Sequence, residues 1–319
     1  MNHTENGDKR VSDTVVVIGE ALMDCVVGPS GEPLHEVPGG SPMNVAIGLG
    51  RLGHSAVLAA RVGPDPRGQA ITSHVKGSGV ALIEDSSGLD YTSTATAHLA
   101  EDGSASYEFD LVWDLEPSMV PEAPYLHVHA GSIACTLQPG ASAVLEIVKR
   151  SRAAGASISY DPNVRPHIMG SAEDVLPQIE ALIALSHLVK ASDEDAAWLY
   201  PGLSLDEVVR RWQGLGATLV IITMGAEGAS AWSASRTLSF PTHAITVVDT
   251  IGAGDTVMAG LIAALSTRSL LGASGAKRWE TLPENDLAEV VTFALRAAAI
   301  TVSRAGADLP TLADMKGVS

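Results

Sequence analysis

The sequence is short of cysteine, of aromatic side chains, of positive charge and of long apolar runs, and each shortage excludes something. Cys25 and Cys135 are its two cysteines in 319 residues, and they have no CxxC spacing. They build no disulfide framework, so the reducing cytoplasm is the expected compartment. Aromatics make up 4% of the chain while glycine numbers 31, which suits helices packed closely on a sheet with many tight connections. Lys and Arg total 20 against 37 Asp and Glu, a formal net charge of −17. A nucleic-acid binder needs a basic footprint, so no nucleic acid is expected as a partner. The best apolar run, 290–302, is interrupted by Arg296 and falls short of the ~18 residues of a membrane span, so no membrane partner is expected. No GxxxxGK[ST], protein-kinase catalytic loop or GxSxG occurs, which removes those three enzyme classes at the level of motif.

What is present is alternation. Short β-branched runs at 15–18, 56–60, 125–128, 156–160, 187–189 and 219–222 are separated by helical patterns at 42–52, 68–76, 141–154, 254–266 and 286–302. This order predicts βαβ units and an α/β fold with a mostly parallel sheet covered on both faces. The polar first residues, 1–12, read as a loose tail, and 13–319 as one domain. Two stretches, about 25–38 and 92–113, break the alternation. The second carries a hairpin signal at Asp102-Gly103. The two read either as surface hairpins or as a small β lid.

Two glycine-rich segments carry the chemistry. In PGGSPMNVAIGLGRLG, residues 38–53, Ser41 is a good N-cap and Pro42 suits a first helical position. Gly39 and Gly40 allow close approach to something small, and Asn44 offers an amide to vicinal hydroxyls. The overlapping GxGxxG at 48–53 follows a helix instead of a strand, so the dinucleotide reading is rejected and Gly53 ends the helix. In VVDTIGAGDTVMAGLIAAL, residues 247–265, Gly252, Ala253 and Gly254 present N–H groups at a helix N-terminus, where an anion binds. Asp255 stands beside them. An anion nest next to a carboxylate is what phosphoryl transfer requires.

Three further clusters are read less sharply. Asp161, Asn163 and Arg165 in SYDPNVRP follow a strand, and Arg165 suits a phosphate or carboxylate; a polar turn explains the segment equally well. Asp193, Glu194 and Asp195 position Mg²⁺ through water or form the acidic first turn of a helix capped by Ser192. The segment 223–228 borders a nucleotide or is a plain hairpin. His127 and His129 share a face of one strand and read as structural.

The pair GGSPMNVAIGLGRLG and DTIGAGD resembles the two signatures of the ribokinase/PfkB carbohydrate kinases. GEALMD, YDPNVRP, KASDED and SRAGAD look most like the fructokinase-type branch. The resemblance implies a three-layer α/β/α ribokinase-like domain with a β lid, ATP and Mg²⁺, a K⁺ activator, a sugar substrate and a homodimer formed through the lid. It implies Asp255 as the base, with Gly252, Ala253, Gly254 and Arg165 assisting. It places Asp24, Gly39, Gly40, Asn44, Phe109, Asn163 and Arg165 at the sugar. Lys190, Ser192, Thr223, Gly225, Gly228 and Gly254 would border the nucleotide. Asp249, Ile251, Val302 and Ala305 match the monovalent-cation loop, and Asp195 a Mg²⁺ position. Two departures stand out: the family's Asn-x-x-Glu reads Ser192-Asp-Glu-Asp195, and the lid segment YEFDLVWDLE has Asp110 and Trp113 where many fructokinases carry an Arg-Asp pattern. The competing readings are a kinase for 2-keto-3-deoxygluconate with Arg165 on its carboxylate, a nucleoside kinase, and a catalytically silent regulatory module.

Overall fold

The computed structural model describes residues 13–84, 88–102, 104–242 and 246–317; the expected tail at 1–12 lies outside them. The strands are β1 (Val15–Ile18), β2 (Leu22–Val27), β3 (Pro33–Gly39), β4 (Ala56–Ala60), β5 (Ala81–Glu84), β6 (Thr94–Leu99), β7 (Ala105–Asp110), β8 (His127–Gly131), β9 (Ser157–Asp161), β10 (Leu188–Ser192), β11 (Leu219–Thr223), β12 (Ala229–Trp232) and β13 (Thr237–Phe240). The helices are α1 (Ser41–Arg51), α2 (Pro66–Gly77), α3 (Gly140–Ala153), α4 (Pro166–Met169), α5 (Ala172–Ile183), α6 (Asp193–Leu199), α7 (Leu205–Leu215), α8 (Ala253–Thr267), α9 (Gly272–Ala276), α10 (Glu284–Val302) and α11 (Leu312–Gly317).

Nine strands form one sheet in the order β13-β12-β11-β10-β9-β8-β1-β4-β5. From β11 to β5 every neighbouring pair is parallel, and β12 and β13 add antiparallel to one side. The sequence of β1 shows why its strands are apolar throughout. Val15 and Val17 enter the core layer built with α1, α8 and α10, while Val16 and Ile18 enter the layer built with α3, α5 and α7. A strand covered on both faces buries every residue, so it loses the polar alternation of a half-exposed strand. The expected α/β/α architecture is what forms.

β3, β2, β6 and β7 form the second sheet. Both excursions therefore belong to one lid, and β2 and β6 pair in parallel within it. The first lid strand starts at Leu22, three residues before the expected boundary. Met23, Cys25 and Thr94 are buried at its base, while β3 and the far end of β7 are exposed. The β6–β7 hairpin forms as expected, with Gly103 outside the described residues. Among the described residues no single helix is long and apolar enough to cross a membrane.

Candidate active site

The C-terminal ends of the parallel strands face the N-terminus of α8, at the edge where open α/β sheets bind ligands. Gly252 is the N-cap of α8 in a left-handed conformation (φ 77°). Asp255, in the first turn, is 7% exposed. Its carboxylate accepts from the Ser41 hydroxyl at 2.7 Å and from the Asn44 side-chain amide at 2.8 Å. The two glycine-rich segments, more than 200 residues apart, thus close on one carboxylate. Ser41 is not the expected N-cap. Gly40 takes that position without a side-chain bond, Pro42 falls second in the helix, and the Ser41 hydroxyl is spent on Asp255. Ala253 N–H, one of the three expected in the anion nest, donates to the Thr250 carbonyl at 3.2 Å. Among the described residues no acceptor engages the N–H groups of Gly254 and Asp255, so these two are left to point at a ligand.

Lys190 lies beneath this helix start. Its ammonium donates to Asp161 at 2.8 Å, and the two side chains are 4% and 1% exposed. A Cβ built on Gly254 would sit 2.8 Å from Lys190 Nζ, so Gly254 makes room for the ammonium as well as freeing an N–H. Burial opposes the lysine's charge, but Asp161, Asp195 and Asp255 outweigh it and raise its pKa above the usual value. Burial raises Asp161 to about 6 against the pull of Lys190. Asp195, the expected Mg²⁺ position, is bound into the fold. Ser192 and Asp195 form a reciprocal capping box on α6, and the second Asp195 oxygen accepts from Val164 N–H at 2.8 Å. Both oxygens, and the Ser192 hydroxyl, are used by the fold. Among the described residues no group of three His, Cys, Asp or Glu side chains gathers at metal spacing. His127 and His129 are buried and bond Ser157 and Ser159, as structural histidines should.

On the lid side, Asp24 projects from β2. A Cβ on Gly39 would come within 1.9 Å of its Oδ2, so the carboxylate occupies the space expected to open toward a ligand there. Burial holds Asp24 up at about 6, against the opposing charge of Arg165. Glu20, which no motif reading singled out, is 7% exposed and raised to about 7 by burial; Arg165 acts on it too. Arg165 is itself exposed, and its guanidinium bonds Asn163 Oδ1 at 2.7 Å. Phe109 lies across β6 from Asp24: Asp24 pairs with Ala95 and Ala95 with Phe109, so all three share one face. Phe109 stacks on Tyr107 with centroids 6.3 Å apart.

On the other side of α8, Thr223 ends β11, and residues Gly225–Glu227 form a 3-10 turn into the antiparallel β12. The plain hairpin is present, with Gly225 (φ 51°) facing open space. Val247, Val248 and Ile251, in the segment that leads into α8, are exposed apolar side chains. Asp249 accepts from Ile251 N–H at 3.0 Å and Gly306 N–H at 2.9 Å, tying its loop to the one after α10. These bonds hold its carboxyl below the usual range. The Val302 carbonyl already accepts from Val248 and Asp249 N–H groups. The Val302 carbonyl, one of the expected cation ligands with Asp249, Ile251 and Ala305, is thus where the two loops meet.

The model of the pfkB family carbohydrate kinases matches residues 12–314. A fructokinase of Vibrio alginolyticus is 31% identical over 262 residues, covering 79% of this chain and 84% of the relative. A fructokinase of Xylella fastidiosa with bound ATP superposes with a TM-score of 0.87 at 24% identity, covering 96% of this chain and 98% of that one. A double-mutant fructokinase of Vibrio cholerae O395, bound to fructose, ADP and potassium, superposes with a TM-score of 0.80 at 25% identity, covering 97% and 98%. The fold, the two joined glycine-rich segments and these likenesses agree: the chain belongs to the PfkB family of carbohydrate kinases.

Proposed function

We propose that the chain transfers the γ-phosphoryl group of ATP to a hydroxyl of a neutral sugar, D-fructose or a close relation, with Asp255 as general base. One observation carries this reading. Asp255 is held by Ser41 and Asn44 at the start of α8, beside N–H groups that find no acceptor among the described residues. A sugar hydroxyl placed against Asp255 loses its proton as its oxygen attacks. The N–H groups of Gly254 and Asp255 meet the charge on the transferred group. The buried Lys190 ammonium beneath Gly254 offsets the carboxylates of Asp161, Asp195 and Asp255.

A neutral sugar is favoured by the surroundings of Arg165. The charge of Arg165 acts on Asp24 and Glu20, so two carboxyls already lie in its field before a substrate arrives. The carboxylate of an acidic keto sugar would have to sit near both of them. Asp24, Asn44, Asn163 and Arg165 then serve sugar hydroxyls, and Phe109 covers them from the lid. Thr223, Gly225 and Gly228 border the nucleotide, beside the exposed Val247, Val248 and Ile251. The Asp249 loop, through Asp249 and the Ile251 and Ala305 carbonyls, is the place for K⁺, which when bound adds positive charge behind the anion nest. The described residues build no cage for Mg²⁺, so the ion would enter on the nucleotide's own phosphates. The apolar face shared by Val26, Val37, Ala97, Tyr107 and Phe109 is the proposed dimer contact.

A coupled ADP-release assay over fructose, 2-keto-3-deoxygluconate, aldoses and nucleosides tests this. Fructose is expected to give the highest kcat/KM. A keto-acid turned over faster would overturn the reading of Arg165, and release with no acceptor preferred would overturn the sugar-kinase assignment.

A further inference from the structure

The lid is joined to the large sheet by four connections, and Ala134 touches two of them directly. Ala134 lies in a 3-10 turn, Ser132–Cys135, that follows β8. Its N–H donates to Glu20 Oε2 at 3.2 Å, and Glu20 belongs to the short link between β1 and the first lid strand, β2. Its carbonyl accepts from Trp113 Nε1–H at 2.9 Å, and Trp113 belongs to the segment leaving the last lid strand, β7. One peptide residue therefore holds the chain where it enters the lid and where it leaves.

The neighbouring contacts converge on the same point. A Cβ built on Gly19 would come within 3.3 Å of the Ala134 methyl. A Cβ on Gly40, which joins β3 to α1, would come within 2.5 Å of the Glu20 carbonyl, so the third connection rests on Glu20 as well. The fourth connection is tied to Val112, the residue before Trp113, through Ser93, whose hydroxyl accepts from Val112 N–H at 2.9 Å. Ser132, two residues before Ala134 in the same turn, has a left-handed φ of 57°, a conformation that a non-glycine residue keeps only when its surroundings enforce it. Glu20, Trp113 and Ala134 are all buried. A buried carboxyl that burial raises to about 7 is costly to keep for packing alone.

We propose that the Ala134 peptide is the pivot of the lid, and that Glu20 and Trp113 are positioning residues that set the lid over the bound sugar. Neither touches the reacting atoms. They act through β2, which carries Asp24, and through β7, which carries Phe109. The inference rests on the sugar-kinase reading for its kinetic test but not for its structural one.

The variants are Glu20→Ala, which removes the acceptor; Glu20→Gln, which keeps one; and Trp113→Phe, which removes the donor and keeps the ring. Losing one buried hydrogen bond here is expected to raise the sugar KM about tenfold in E20A and W113F, with the ATP KM within about twofold of wild type. E20Q is expected to recover most of the loss. In hydrogen exchange, peptides from 22–39 and 94–102 should exchange faster in E20A and W113F, while those from β9 to β11 keep wild-type rates. A lower melting temperature with unchanged lid exchange and unchanged sugar KM would overturn the proposal, as would an equal rise in the ATP KM. E20Q as impaired as E20A would overturn the acceptor role. If wild type phosphorylates no sugar, the functional reading fails while the exchange experiment still decides the pivot.

Discussion

Asp255 has more support than proton abstraction alone requires. A hydroxyl and an amide each hold one of its oxygens, so the base is oriented before any sugar arrives. Removing the carboxylate in Asp255→Asn is expected to lower kcat by about 10²- to 10⁴-fold, read from initial rates at saturating ATP and sugar. Rates within threefold of wild type would remove Asp255 from the mechanism. Asn44 sharpens the point. As a sugar-binding amide alone, Asn44→Ala should change only the sugar KM. Because its amide also donates to Asp255, kcat should fall too, by about tenfold, with the ATP KM unchanged. A pure KM effect would mean that Ser41 alone orients the base. The bonds that Asp255 makes could not be read along the chain. Ser41 lies 214 residues away, and its local context, just before a proline and a helix, suggests a cap.

At the scale of elements, α8 is pressed from both ends of its function. Its first turn rests on Lys190, and its middle crosses α10 so closely that a Cβ on Gly260 would lie 2.7 Å from the Ala294 Cα. Gly254→Ala should displace the Lys190 ammonium and lower kcat with little loss of stability. Gly260→Val should do the reverse, costing about 1–3 kcal/mol of stability in a urea melt with kcat/KM near wild type in the folded fraction. Equal effects of the two variants on both measurements would contradict this division. The helices and strands themselves were largely legible, because both-face burial writes uninterrupted β-branched runs and the two strongest helices carry long small-residue patterns. The strand ends were not. β8 runs to Gly131, β9 to Asp161 and β10 to Ser192, past the apolar runs, because His129, Asp161, Lys190 and Ser192 interrupt the apolar pattern in these strands. Those residues end the hydrophobic pattern before the hydrogen-bonded ladder ends. Glu20 was missed for a related reason. A single acid after a strand carries no spacing signal, and its meaning comes from a turn more than a hundred residues later.

For the whole molecule, the formal charge of −17 suggests that stability should rise steadily as acid titrates the carboxylates. The buried groups argue otherwise. Burial raises Glu20 to about 7 and Asp24 and Asp161 to about 6. Their contribution is full below the unfolded carboxyl value near 4 and is lost as pH rises through 6 to 7. Burial lowers His129 to about 3 and His187 to about 4, holds His127 well below its usual value, and lowers His54 and His74 as well. Their contribution is full above the unfolded histidine value near 6.5 and is lost as pH falls below it. Between pH 5 and 6 the two sets run in opposite directions, three carboxyls against five histidines. Below pH 4 the carboxyls that backbone hydrogen bonds hold low, Asp314 at about 2 and Asp249, lose their contribution as they protonate, so stability should fall there. Glu20→Gln removes one member of the first set. Relative to wild type it should make the unfolding free energy from urea melts rise more steeply with pH between 5 and 6, by roughly one proton's slope, about 1.4 kcal/mol per pH unit. An unchanged or shallower slope in the variant would show that Glu20 does not carry the proton that its burial requires.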